Sequence, residues 1–237
     1  MKIVLFGASG MIGQGVLREC LSDPEVTAVV SVGRRATGAA HPKLREVVHG
    51  DLADLTAIEH EFDGVDACFD CLGVSSAGMR EADYRRITYD YALAAGRTLV
   101  KHSPTAVLVF VSGAGTDSTG QGRSMWARVK GQTENTLLGL PFANVGESAE
   151  TGDARKTGGA FMFRPAYIHA MHGIVSRTRL YRTLYVFTRP LFPVLKWLLP
   201  SHVTTTENIG KAMLAVARRG APKRVLESPD IERLATP

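Results

Sequence analysis

A glycine-punctuated turn near the start of the chain constrains its fold more than any other feature. Lys2–Phe6 is a short apolar run, and Gly7-Ala-Ser-Gly10-Met-Ile-Gly13 follows it directly. Met11–Leu21 then carries apolar residues at Ile12, Val16 and Leu17, a helical spacing, so the order is strand, turn, helix. Each glycine meets a different need: Gly7 permits the tight turn, Gly10 lets a phosphate approach the backbone, and Gly13 lets the helix pack closely on the strand. Ser9, Met11 and Ile12 complete the turn, whose free N–H groups and helix dipole suit a pyrophosphate. A glycine-rich turn without a ligand is the alternative. The strand before it, the helix after it and the βα units downstream favour a dinucleotide.

The pattern continues in the same sense. Val26–Val32 ends at Gly33, Leu44–Val48 at Gly50-Asp51, and Val65–Leu72 at Gly73. A helical stretch over about Arg80–His102 precedes the strand Ala106–Val111. Strands alternating with helices predict an α/β chain, a doubly wound parallel sheet of Rossmann type with helices on both faces. Beyond it come a helix over Arg123–Leu138, a polar small-residue loop over Ala143–Gly159 and a strand over Ala160–Arg164. Thr204 and Glu207 have capping-box spacing for a helix to about Arg218, Arg224–Glu227 reads as a last strand, and Ser228-Pro229 as N-cap and first-turn proline of a terminal helix. At 237 residues, one domain over 1–237 suffices.

Charge divides the chain unevenly. Residues 1–150 hold 14 basic and 18 acidic side chains, whereas 151–237 hold 14 basic and 5 acidic. A basic C-terminal third favours an anionic substrate, cofactor or membrane surface. Nucleic acid is not expected, because these charges are interleaved with apolar stretches. Leu180–Leu199 is apolar and basic and is broken by Pro190 and Pro193, so 165–200 is expected to form a substrate cap, with a weak membrane-surface contact as the alternative. Either use points to a small hydrophobic substrate, anionic if charged.

Three cysteines, Cys20, Cys68 and Cys71, form no disulfide framework and favour a reducing compartment. Cys68 and Cys71 lie three apart in one expected strand, on opposite faces, which argues against a redox pair or shared metal. His169 and His172 have no matching ligand cluster, so no metal is expected. Cleavage of a signal peptide would destroy the glycine turn, and no window reaches the roughly 18 uncharged apolar residues of a spanning helix. The expected location is therefore cytoplasmic.

The second strand ends where an NAD-selecting protein usually places an acid for the ribose hydroxyls. Here the residues are Gly33-Arg34-Arg35, with no acid between Glu25 and Glu46. Guanidinium forks suit a 2′-phosphate, so the expected cofactor is NADP(H), with NADPH preferred over NADH. A merely solvated loop is the alternative. Asp51, followed by Leu52, is placed either to accept from an adenine amino group or to cap a helix.

Taken together these residues resemble the short-chain dehydrogenase/reductase superfamily, in its extended and atypical, epimerase/dehydratase-like branch. The resemblance rests on the glycine turn, Gly50-Asp51-Leu52, Cys71-Leu72-Gly73, Val109-Phe-Val-Ser-Gly113, Lys130 and Phe163-Arg164-Pro165-Ala-Tyr167-Ile168. It implies that Cys71, Leu72 and Gly73 lie against the cofactor, and that Arg164, Pro165, Tyr167 and Ile168 pass near the nicotinamide. The family's catalytic helix carries Tyr-x-x-x-Lys, whereas this chain reads Trp126-Ala-Arg-Val-Lys130. Lys130 retains the implied ribose contact, but the Trp126 indole cannot exchange a proton in turnover. Ser112 is the nearest match to the family's Ser or Thr, with Thr116 and Ser118 in the next loop. Tyr84, Tyr89, Tyr167 and Ser124 are further hydroxyls, more in keeping with packing or surface roles. The resemblance implies an atypical NADP(H)-dependent oxidoreductase acting on a hydrophobic carbonyl compound through Lys130, Ser112 and the Trp126 position. The alternative is a non-catalytic NADP(H)-binding regulatory or membrane-associated assembly protein.

Overall fold

Ile3, Val4, Leu5 and Phe6 are all buried, which a strand allows only when both faces of its sheet are covered. In the computed structural model, which describes residues 1–143, 158–174 and 203–236, this run is β1 (Lys2–Phe6), an interior strand of the sheet. Chain order continues with α1 (Met11–Ser22), β2 (Ala28–Gly33), β3 (Leu44–Val48), a short 3₁₀ helix (Thr56–Phe62) and β4 (Ala67–Asp70). Next come α2 (Glu81–Arg85), a π-helical turn (Arg86–Asp90), α3 (Tyr91–His102), β5 (Val107–Val111), α4 (Met125–Leu138), β6 (Gly159–Arg164) and β7 (Tyr167–His169). The described chain closes with β8 (Val203–Thr205), α5 (Thr206–Arg219), β9 (Val225–Glu227) and α6 (Ser228–Ala235).

Seven strands in the order β3-β2-β1-β4-β5-β6-β9 form one sheet in which every pairing is parallel. The doubly wound α/β expectation is thus met, and the order reverses direction between β1 and β4. On one face, Ile3 and Leu5 pack with Val16 of α1 and with Ile209, Met213 and Val216 of α5. On the other, Val4 and Phe6 pack with Leu99 of α3 and Leu137 of α4. Side-chain alternation also separates the cysteines: Cys68 joins the second cluster, Cys71 and Cys20 the first, and all three are free thiols. Burial raises the pKa of each, so none is a poised thiolate.

Glycines set how closely α1 approaches its neighbours. A Cβ at Gly13 would overlap the Gly7 carbonyl, and one at Gly15 would stand 2.6 Å from the Thr206 Cβ on α5. Both helix caps near the C-terminus sit one residue from the expected place. Thr205, not Thr204, caps α5 by accepting from the Asn208 amide at 3.0 Å, which frees Glu207 to pair with Lys211 and His172. Glu227, not Ser228, caps α6, its amide donating to Asp230 Oδ2 at 3.0 Å; the Ser228 hydroxyl instead accepts from the Ala166 amide. The pairing of β7 with β8 was not legible in the sequence, because three-residue strands carry too little periodicity. Leu180–Leu199, most of the expected cap over 165–200, and residues 144–157 of the expected loop lie outside the described residues.

Candidate cofactor site

The carboxyl ends of β1 and β4 splay apart at the strand-order reversal, where ligands of open α/β sheets bind. Gly7 takes a φ of 77°, a conformation that favours glycine, and a Cβ there would stand 2.6 Å from the Cys71 carbonyl carbon. Gly10 follows as N-cap of α1, its amide donating to the Gly7 carbonyl at 2.8 Å. The next amides belong to the first helical turn and have no carbonyl of their own helix to meet. No acid occupies that turn, so its partial positive charge faces the opening uncompensated.

Two adjoining cavities occupy the opening. One, of about 520 Å³, is lined by Gly7, Ala8, Ser9, Arg34, Arg35 and Thr37 among others. The second, of about 480 Å³, is lined by Ser9, Gly10, Met11, Ile12, Cys71, Leu72 and Gly73, and by Ile87 and Tyr91. Gly7, Ser9, Arg34, Leu52 and Leu72 belong to both, so the two form one groove. Among the described residues, neither the Arg34 nor the Arg35 guanidinium has an ion-pair partner. Glycines that admit no Cβ, free helix-start amides and unpaired guanidiniums make a donor set that fits the phosphates of a dinucleotide.

Of the residues expected to bind cofactor, Gly7, Ser9, Gly10, Met11, Ile12, Arg34, Arg35, Leu52, Cys71, Leu72 and Gly73 line this groove. Gly13 lies beneath it as the point of helix–strand contact. Asp51 does not line it: its carboxylate closes a turn by accepting from the Ala53 amide at 3.1 Å and faces Arg86 at 3.3 Å. Ile87 and Tyr91 were missed. They sit in and just after the π-helical turn, whose extra residue per turn no hydrophobic pattern announces.

The residues expected at the reacting end form a different kind of site. Asp70, Ser112, Arg164 and Glu227 stand at the carboxyl ends of β4, β5, β6 and β9, and Lys130 and Glu134 lie one turn apart on α4. Ser112 Oγ donates to Glu134 Oε1 at 2.5 Å and lies 3.1 Å from the Phe163 carbonyl. The Arg164 guanidinium clasps both oxygens of Glu134, through Nε at 3.0 and 3.2 Å and through Nη2. Nη2 also donates to Ser118 Oγ at 2.5 Å, and Nη1 lies 3.6 Å from Glu227. The Lys130 ammonium donates to the Ser112 carbonyl. Desolvation pulls its pKa down to about 8, against the fields of Glu134 and Asp70. Burial pushes Asp70 up to about 6, although its Oδ1 accepts from the Leu72 amide at 2.9 Å.

The structure therefore alters several expectations. The Ser112 hydroxyl is committed to Glu134, and the Arg164 side chain turns into the protein rather than toward the groove, because the buried Glu134 carboxylate requires a cation. Pro165, Tyr167, Ile168, Lys130 and Trp126 do not line either cavity. Trp126 packs beside Gly115. Tyr84 is fully buried, Tyr89 lies under the Arg85 guanidinium at 4.1 Å, and Thr116 donates to the Gly113 carbonyl.

Fold and groove together define a dinucleotide-binding protein of Rossmann type. Residues 7–136 match the model of a family described as NAD(P)H-binding, and the chain belongs to that family. Among curated proteins it is similar to "Protein fmp52, mitochondrial" of Emericella nidulans, 27% identical over 154 residues, 60% of this chain and 62% of the relative. The FMP52 protein of Chaetomium globosum is 25% identical over 143 residues, 59% of this chain and 60% of that protein. The chain thus spans about three fifths of the length of these relatives. Both are named mitochondrial, which overturns the cytoplasmic expectation: free cysteines and the lack of a spanning helix among the described residues are compatible with more than one compartment. Among solved structures, the Bordetella bronchiseptica enzyme WbmF in complex with NAD+ superposes with a TM-score of 0.66 at 14% identity, covering 99% of this chain and 76% of that one. The dTDP-glucose 4,6-dehydratase DesIV of Streptomyces venezuelae, with NAD bound, gives 0.63 at 16% identity, covering 96% and 75%. These likenesses show the fold alone.

Proposed function

We propose that this chain binds NADP(H), in preference to NAD(H), along the β1–β4 groove and acts as an atypical oxidoreductase on a small hydrophobic carbonyl compound. The observation that carries the cofactor preference is the pair of unpaired guanidiniums, Arg34 and Arg35, at one end of the groove. A bound 2′-phosphate would give these forks their charge-assisted partner. Lys130 is the residue proposed to reach the nicotinamide-side ribose from α4, and the excess of basic side chains in the C-terminal third supports a substrate that is anionic if charged. The same charge supports weak contact with a membrane surface, and no nucleic-acid partner is proposed.

A reduced nicotinamide supplies a hydride when bound; the chain must hold it and find a proton for the product. With Trp126 in the usual phenol position and Ser112 committed to Glu134, that proton has no evident donor at the expected place. The specific consequence is slow turnover, because a positioned general acid contributes about 10²–10⁴-fold. The same two residues favour the second reading, a protein that binds NADP(H) without reducing anything.

Steady-state NADPH oxidation over a panel of hydrophobic aldehydes and ketones separates the readings. Slow but saturable oxidation, raised by Trp126→Tyr and weakened in cofactor affinity by Lys130→Ala, supports the oxidoreductase. No turnover with intact cofactor binding supports the second reading, and fast turnover unaffected by Lys130→Ala contradicts the site assignment.

A further inference from the structure

Arg34, Arg35 and Ala36 form a three-residue arch between two anchors, one on β3 and one just past its end. At one end the Gly33 carbonyl accepts from the His49 amide at 2.9 Å, continuing the β2–β3 ladder. At the other the Glu46 carboxylate accepts from the Thr37 amide at 2.5 Å and the Gly38 amide at 3.4 Å. Gly38 has a φ of 81°, so it is suited to a turn that brings both successive amides onto one carboxylate, an anion-binding concavity that the protein fills itself. The Thr37 hydroxyl then accepts from the Ala39 amide at 3.1 Å. Arg34, Arg35 and Thr37 line the same cavity, and Glu46 does not.

We propose that Glu46 is a positioning residue for cofactor selectivity: by tying the far end of the arch to β3 it holds the Arg34 and Arg35 forks where a 2′-phosphate on the adenosine ribose meets them. The inference rests on the NADP(H) reading above. Without the tie, the arch would be anchored at Gly33 alone, and two long side chains would have to be ordered on binding. Hydrogen bonding by Thr37 and by the two amides holds the Glu46 carboxyl below its ordinary range, so the tie is ionised across neutral pH. One effect opposes it, since a carboxylate near a phosphate repels it. Two amides held by Glu46, and two guanidiniums lining a cavity that Glu46 does not line, favour positioning over repulsion.

The test is calorimetric titration of NADPH and NADH into the unmutated protein, Glu46→Ala and Glu46→Gln, with the thermal midpoint of each ligand-free protein. Positioning predicts that Glu46→Ala weakens NADPH about tenfold and leaves NADH within about twofold. Glu46→Gln, which keeps an acceptor oxygen for the amides and removes the charge, should recover most of the NADPH affinity. If both variants bind NADPH more tightly, repulsion dominates and the proposal is overturned. Unchanged NADPH binding by Glu46→Ala, or equal loss of both cofactors, also overturns it. Equal affinities of the unmutated protein for NADPH and NADH would instead remove the phosphate reading on which it rests, a result visible before any variant is made.

Discussion

The groove between β1 and β4 and the polar layer over the ends of β4, β5, β6 and β9 lie at the same end of one sheet, yet they handle polar groups in opposite ways. In the groove, donors are left open: the helix-start amides that follow Gly10 and two guanidiniums without ion-pair partners. In the layer, donors are consumed: the Ser112 hydroxyl is held by Glu134, the Arg164 guanidinium by Glu134 and Ser118, and Lys130 already gives one N–H to the Ser112 carbonyl. Open donors mark a surface prepared for an anionic ligand, and satisfied ones a structural network. The difference teaches that residue types alone do not fix the state in which a site holds them.

Breaking the layer should cost the most. Arg164→Met leaves the buried Glu134 carboxylate without its cation, and removing one partner of a buried pair typically costs about 3–5 kcal/mol. Urea unfolding should show that loss, while the NADPH affinity of the folded protein changes little. A variant of full stability with weakened NADPH binding would instead return Arg164 to the cofactor site.

Asp70 gives a second test of the same layer. Its folded-state pKa, raised to about 6, lies above the unfolded carboxylate's, so the stability it contributes is present below about pH 4 and is lost as the pH rises through 6. Asp70→Asn retains an acceptor for the Leu72 amide and removes the titration. Its advantage should grow between pH 4 and 6 and level off at up to about 3 kcal/mol. Lys130, deprived of Asp70's field, would then lose its proton at lower pH and offset part of the gain. Unfolding midpoints of the two proteins that run parallel from pH 4 to 8 would contradict it.

The groove offers the smallest effect on stability and a selective one on binding. Arg34→Ala with Arg35→Ala removes charge-assisted hydrogen bonds of about 1.5–3 kcal/mol in total, roughly ten- to a hundredfold in NADPH affinity. NADH affinity and the unfolding free energy should stay nearly constant, the latter within about 0.5 kcal/mol. A large loss of stability would show that the forks serve the fold.

The groove was legible in the sequence because its determinants are local. Gly7, Gly10 and Gly13 answer to backbone geometry within one turn, and Arg34 and Arg35 to the end of one strand. The separation of Cys68 from Cys71 followed from the two-residue period of β4. The polar layer was not legible, since Glu134 reads in isolation as a surface residue of α4 and becomes buried only when β6 brings Arg164 beneath it. Glu46 likewise reads as a polar residue on an edge strand until the turn at Gly38 folds back onto it. Tyr91 and Ile87 reach the groove from a π-helical turn that leaves no pattern in the residue types.

Titrating the unmutated protein with NADPH and with NADH under identical salt and pH tests most directly whether the open groove is a site for a 2′-phosphorylated dinucleotide. NADPH should bind more tightly by about ten- to a hundredfold, with the gap narrowing as salt screens the guanidiniums. Equal affinities, or tighter binding of NADH, would contradict it.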